Sequence, residues 1–244
     1  MGRLIYIPAP GGIPYTYTKS LDLDGVNEYV NFGDQSVMDG VGAFSIVAWV
    51  KFDNIGATAT VISKRDAGGV GWQFRRDSGN RLRFILEGAG GSLNVFTTNT
   101  LAANTWYMIS VTTNGLNAAG TQIYINGTAA TMNTTSNALS GSVLNNEPVL
   151  VGTGGATQFV DGKVFAVGFY TGALTGGNIS TINALSPKDL SAGPGTLIFY
   201  PRFGNDPDDD ATSGTGVIKD RVGGFDGTPM NTESGDIITD APTP

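Results

Sequence analysis

Glu28, Glu87, Glu147 and Glu233 are the only glutamates in the chain, and carboxylates are the main hydrolytic device left to a sequence with neither Cys nor His. Cleaving a glycosidic bond takes two carboxyl groups facing each other across a cleft, about 5–10 Å apart. The sequence offers no such pair. Lacking Cys and His, it also has no disulfide, no zinc or haem ligation, and no thiolate or imidazole base. A non-enzymatic role is the expectation.

Three groups of residues point instead to binding. Trp72 and Phe74 alternate with Gln73 and Arg75, and Leu82 and Phe84 alternate with Arg81 and Arg83, on either side of the turn tetrad Asp77-Ser-Gly-Asn80. Alternation across a hairpin places Arg75, Arg81 and Arg83 on one exposed face, with Lys64 and Arg65 nearby. Such a face is either simply solvated or a contact for an acidic surface or an anionic glycan. Asp206, Asp208, Asp209 and Asp210 form an acidic run among Pro and Gly, which reads as a solvated mobile loop or as oxygen ligands for calcium. Finally, Tyr6, Tyr15 and Tyr17 are interleaved with Pro8, Pro10 and Pro14 in residues 1–19. This stretch cannot form a helix and reads as a frayed terminus or as an arm that docks on another subunit.

The elements that must carry these residues are strands. Ala43–Phe52 is the longest strand-forming run, with Phe44, Ile46, Ala48, Val50 and Phe52 on one face and Val47 and Trp49 on the other. Apolar residues on both faces at its middle predict a central strand covered on both sides. Trp49 and Trp106 are expected in the core. Short strands follow at close spacing, with Asn126-Gly127 as the strongest hairpin signal and 128–132 as one strand after it. A single helix is predicted over 177–185, started near Thr175 and stopped by Pro187. With 36 Gly in 244 residues and few helix formers, the fold class is all-β: a two-sheet antiparallel jelly-roll sandwich with one short helix. A net charge of −7 argues against a nucleic-acid partner. No run approaches a membrane span, and the start of the chain does not read as a signal peptide.

The ordered blocks Ser20–Val30, Phe44–Val50, Val61–Lys64, Trp106–Val111, Ile123–Gly127 and Gly162–Tyr170 resemble the laminin-G-like jelly rolls of the concanavalin A-like lectin/glucanase superfamily. The glutamates do not form the Glu-x-Asp-x-Glu strand motif of the related glucanases, which leaves glycan hydrolysis as the weakest implied activity. Leu197–Phe203 followed by Asp220–Thr228 is similar to a strand and acidic loop that precede these blocks in family members. The chain therefore resembles a circular permutant in which residues 196–230 close the sheet of a single domain spanning 20–244, with Leu197, Phe199 and one of Pro201 or Phe203 pointing inward. By the same resemblance Asp220 and Asp226 are candidate ligands for a structural calcium ion. The Gly, Asn and Thr richness, the absent Cys and the arm resemble structural proteins of tailed-bacteriophage particles. That implies a head decoration, fibre or tail component exposed on the virion. Its partners would be capsid or tail subunits, further copies in a homotrimer, and a surface glycan. A free calcium-dependent lectin is the alternative.

Overall fold

Side-chain alternation resolves the chain into sixteen short strands and one α-helix over the described residues, 17–186 and 188–243 of a computed structural model. In order these are β1 (Ser20–Asp24), β2 (Tyr29–Asn31), β3 (Phe44–Phe52), β4 (Ala59–Arg65), β5 (Gly71–Arg76), β6 (Arg81–Gly88), β7 (Gly91–Thr100) and β8 (Trp106–Thr113). There follow β9 (Thr121–Ile125), β10 (Thr128–Ala129), β11 (Met132–Ser140), β12 (Leu150–Val151), β13 (Asp161–Thr171), the helix α1 (Gly176–Asn183), β14 (Thr196–Phe199), β15 (Thr228–Met230) and β16 (Ile237–Ile238). They pair into two antiparallel sheets of eight. The first runs β10-β9-β8-β3-β13-β1-β16, with β14 also paired to β13; the second runs β11-β7-β6-β5-β4-β12-β2-β15.

The predicted central strand is central. β3 pairs with β8 on one side and β13 on the other, and its Phe44, Ile46, Ala48, Val50 and Phe52 enter the core between the sheets. There Phe44 stacks on Phe169 with ring centres 5.0 Å apart and meets Phe84 edge-on at 5.9 Å. The opposite face of β3 sends Val47 and Trp49 into a second cluster with Phe165, Leu174, Ile179, Ile182 and Leu190, so α1 and the segment after it cover the outside of the first sheet. Each large apolar side chain so buried stabilises the fold by about 1.5–3 kcal/mol, before the opposing chain entropy. Trp106 lies at the margin of that outer cluster, half-buried, its indole N–H donating to Asp240 Oδ1 at 3.0 Å. It is not the core residue expected.

Local chemistry sets the turns. Asn126 (φ 48°) and Gly127 (φ 78°) are both left-handed, the conformation of a tight hairpin turn whose twist matches its strands. Helix α1 starts at Thr175, whose side chain accepts from Asn178 N while Asn178 Oδ1 accepts from Thr175 N. Residues 128–132, expected as one strand, divide between sheets. Ala130 N still bonds to Ile123 in the first sheet, whereas Thr131 O already accepts from Thr98 N in the second. Sheets pack about 10 Å apart, so a chain changing sheets must break its strand there.

The C-terminal stretch is woven into both sheets: β14 pairs with β13, β15 with β2 and β16 with β1. Phe199 and Phe203 are buried in the core and meet Phe32 edge-on at 4.9 and 6.4 Å. Leu197, expected to point inward, packs in the outer cluster. The cause is a bulge: Phe169 pairs with Phe199 but Tyr170 with Leu197, leaving Ile198 extra and reversing the alternation.

Candidate functional site

The arginine face is built by the β5–β6 hairpin. Asp77 Oδ1 accepts from Gly79 N at 2.9 Å and Arg81 N at 3.0 Å, and Asn80 takes φ 62°, which closes the turn. The resulting register sets Phe74 opposite Phe84 on the core side and Arg75 opposite Arg83 on the outer side of the second sheet. Arg81 grips Asp77 Oδ2 through Nε at 3.1 Å and Nη2 at 2.8 Å, and Arg83 reaches the same oxygen at 3.2 Å. Arg83 also donates to Asn94 Oδ1 at 2.8 Å and Thr135 Oγ1 at 3.2 Å. Both guanidiniums lie against Phe96, 4.4 and 4.7 Å from its ring centre. Burial pushes the Asp77 carboxyl up, but the hydrogen bonds and charge of Arg81 and Arg83 outweigh it and hold the group below its usual range.

Arg75 differs from its two neighbours. Its Nη1 donates to Gln158 Oε1 at 3.2 Å, and that oxygen also accepts from Thr60 Oγ1 at 2.8 Å; among the described residues Arg75 has no carboxylate partner. Burial, then the charges of Arg83 and Arg65, lower its pKa. The face therefore holds three half-buried guanidiniums around one shared carboxylate, a surplus of positive charge in an acidic chain. Lys64 does not join it. Lys64 is wholly buried against Asp34 and Asp39, and Arg65 is taken by Glu87 at 2.5 Å. Arg76, next to Arg75 but pointing inward, stacks over Phe52 at 4.8 Å and is structural. The contributions of Gln158, Thr60, Asn94, Phe96 and Thr135 escape sequence reading, because they reach the hairpin from separate strands and loops.

The acidic candidates have other duties. Asp220 is buried, and its Oδ1 accepts from the backbone N–H of Tyr200 (3.0 Å), Val222 (3.0 Å) and Gly223 (3.1 Å), with Oδ2 taking Phe225 N at 3.4 Å. Asp226 accepts from Asp220 N at 3.0 Å and Lys219 Nζ at 2.7 Å. A calcium ion needs oxygen lone pairs turned toward it, and these are turned to N–H donors, so the two residues do not fit one. The run 206–210 is solvated only in part, at Pro207, Asp208 and Asp210. Asp206 is buried under Arg221, which donates to it at 2.9 and 3.1 Å and also pairs with Asp208. Asp209 accepts from Gly204 N and Lys219 N at 2.7 Å each, and burial pushes its carboxyl up to about 6. Only Asp210 of the four is exposed with no ion pair, its Oδ1 turned to Thr212 N at 2.9 Å. No group of three or more acidic side chains among the described residues is arranged to hold a metal ion.

Tyr6 and Tyr15 lie outside the described residues. Tyr17 is half-buried against the outer cluster and donates its hydroxyl to Asp189 Oδ2 of its own chain at 2.5 Å. Of the glutamates, Glu87 is spent on Arg65, and buried Glu28 accepts from Asp24 N at 2.7 Å; burial first, then Asp236, Asp24 and Asp22, raise Glu28 to about 7. No described helix is long and apolar enough to cross a membrane.

Residues 24–180 match the family model described as the concanavalin A-like lectin/glucanases superfamily. No curated protein sequence matches the chain. Among solved structures, a candidate carbohydrate-binding protein of Bacteroides ovatus superposes with a TM-score of 0.61 at 18% identity, covering 93% of this chain. The chain spans only 61% of that protein's length. The CBM40 module of the Ruminococcus gnavus IT-sialidase, solved with α2,3-sialyllactose, gives 0.53 at 10% identity over 68% of this chain and 98% of its own. A heptameric SAP-like pentraxin of Limulus polyphemus gives 0.50 at 14% identity over 69% and 82%. At these identities the likeness is one of fold.

Proposed function

The chain belongs to the concanavalin A-like lectin/glucanase superfamily, and from that premise we propose that it is a non-enzymatic attachment module that takes an anionic glycan on the outer face of its second sheet. The observation that carries this is Arg75: half-buried, opposite Arg83, and without a carboxylate partner among the described residues. Arg81 and Arg83 share the single carboxylate of Asp77, so the three guanidiniums carry a surplus of positive charge, and Arg75 is the one with no ion pair of its own among the described residues. Phe96 packs against Arg81 and Arg83 and holds their guanidiniums in place. The Bacteroides and Ruminococcus structures make a glycan a natural ligand for the fold, while the sign of the charge comes from the arginines of this chain.

The finer part of the proposal is that the module works on a virus particle, as a head decoration, fibre or tail component joined to neighbouring subunits and trimeric. It is supported by the Pro- and Tyr-rich composition of residues 1–19 and by the similarity in sequence style to phage structural proteins. A capsid or tail subunit that co-purifies with the chain, and a trimer by light scattering, would bear this out. A monomer that captures sugars but no virion subunit would favour the free lectin.

The glycan test uses the full chain on an array of sialylated, uronate-containing, sulfated and neutral glycans. Charge-assisted hydrogen bonds of a guanidinium are worth about 1.5–3 kcal/mol, so Arg75→Gln should weaken binding of an acidic glycan about 10- to 100-fold. Binding should fall with salt and be indifferent to chelator. Binding confined to neutral glycans, or to none, would overturn the proposal.

A further inference from the structure

Lys64 is the cation the arginine face does not use. It stands near the end of β4 opposite Trp72, on the core side, and is fully buried. Its Nζ lies 2.8 Å from Asp34 Oδ1 and 2.7 Å from Asp39 Oδ1. It also donates to Asn145, at 2.8 Å to the backbone carbonyl and 3.3 Å to Oδ1 of the side chain. The Asp39 contact is an ion pair by distance, but Oδ1 lies off the direction of a hydrogen bond, so this buried oxygen has room to receive a proton. The Asn145 carboxamide is held in place, its Nδ2 donating to Val70 O at 3.2 Å. Gly71 permits the approach, since a Cβ at that position would stand 2.5 Å from Nδ2.

An amine, a carboxamide and two carboxylates are thus confined around one point, drawn from β4, the 33–43 loop and the 141–149 loop. We propose that Lys64 and Asn145 become joined by an intramolecular amide bond. The Lys64 ammonium gives one proton to Asp39, and the freed lone pair of Nζ attacks Cγ of Asn145. A second proton leaves Nζ to Asp34 as the tetrahedral centre forms. The carboxylic acids return both protons to Nδ2, one as the Cγ–Nδ2 bond breaks and the second to the departing ammonia, which leaves as ammonium. The third proton of the original ammonium stays on Nζ as the N–H of the new amide. The net change is one ammonium released for one Nζ–Cγ bond formed, with no oxidant or cofactor. Holding amine and acyl group at hydrogen-bond distance gives the high effective concentration such a step needs, and the carboxylates act as the general bases. Asp34, whose side chain is 42% exposed, opens the cluster to water on the side where ammonium would escape. In a chain without Cys, such a bond would do the work of a disulfide, closing the loop from residue 64 to 145.

Intact-mass spectrometry of the purified full chain tests this directly. The expected mass is lower than the sequence requires by one ammonia, with a branched proteolytic peptide that carries both Lys64 and Asn145. Asn145→Ala and Asp39→Asn should each restore the mass of their own sequence. A wild-type chain at its full sequence mass would overturn the proposal. So would a loss of one water instead, because the acyl partner would then be Asp34 or Asp39.

Discussion

Replacing Phe199 by Ala should show that the C-terminal stretch belongs to the cooperative sandwich rather than hanging from it. Phe199 is fully buried between the sheets, edge-on to Phe32 at 4.9 Å and 86°, and Phe32 meets Phe203 in the same way. Truncating a buried Phe costs about 3–5 kcal/mol, transfer and cavity together. A domain is held by about 5–15 kcal/mol in total. For a chain of this size each kcal/mol moves the melting temperature by about 2–4 °C, so the variant should melt about 6–20 °C earlier. Near- and far-ultraviolet circular dichroism during thermal and urea unfolding read both quantities, provided the two probes coincide. Truncation after Pro194 removes β14, β15 and β16 together and should aggregate or fail to fold. A Phe199→Ala protein within about 2 °C of wild type, together with a soluble truncation of unchanged stability, would refute the reasoning and make residues 196–244 an appendage.

Asp220→Asn should lower stability by about 1–3 kcal/mol, because an amide NH2 would face backbone donors the carboxylate now satisfies. Chelator should leave the wild-type melting temperature unchanged, and a matching fall in both would restore calcium to the loop. Burial raises Glu28 to about 7 and Asp209 to about 6. Their contribution to folding is therefore complete below the ordinary carboxylate range and is lost as pH rises through about 6 and about 7. Glu28→Gln should accordingly gain stability relative to wild type between pH 5 and pH 8 in urea titrations, and an equal offset at both would contradict the assignment. Thr175→Ala removes the helix cap and should cost about 1 kcal/mol, read from the same titrations.

Much of the fold is legible in the order of residues because its signals are local. Alternation delimits β5 as Gly71–Arg76 and β9 as Thr121–Ile125, and places Phe44 through Phe52 on the core face of β3. Asn126-Gly127 and the Thr175 cap act within four residues of themselves. The hairpin that gathers Arg75, Arg81 and Arg83 is local in the same sense. What the tertiary structure alone decided concerns the partners of these residues. A one-residue bulge turned Leu197 outward, because with a side-chain period of two a single extra residue reverses every face beyond it. Lys64 sank into the core because Asp34, Asp39 and Asn145 arrive from distant loops to meet its charge. Asp220 became the acceptor of a turn and not a metal ligand, because the N–H groups of Tyr200 and of residues 222–225 converge on it. Arg75 stands apart from Arg81 and Arg83 for a similar reason: Asp77 is local to the turn and hydrogen-bonds two of the three, while the third donates to Gln158, brought by a loop more than eighty residues away. Residue type and spacing announce a strand or a turn, but whether a charge is matched depends on contacts that only the folded chain assembles.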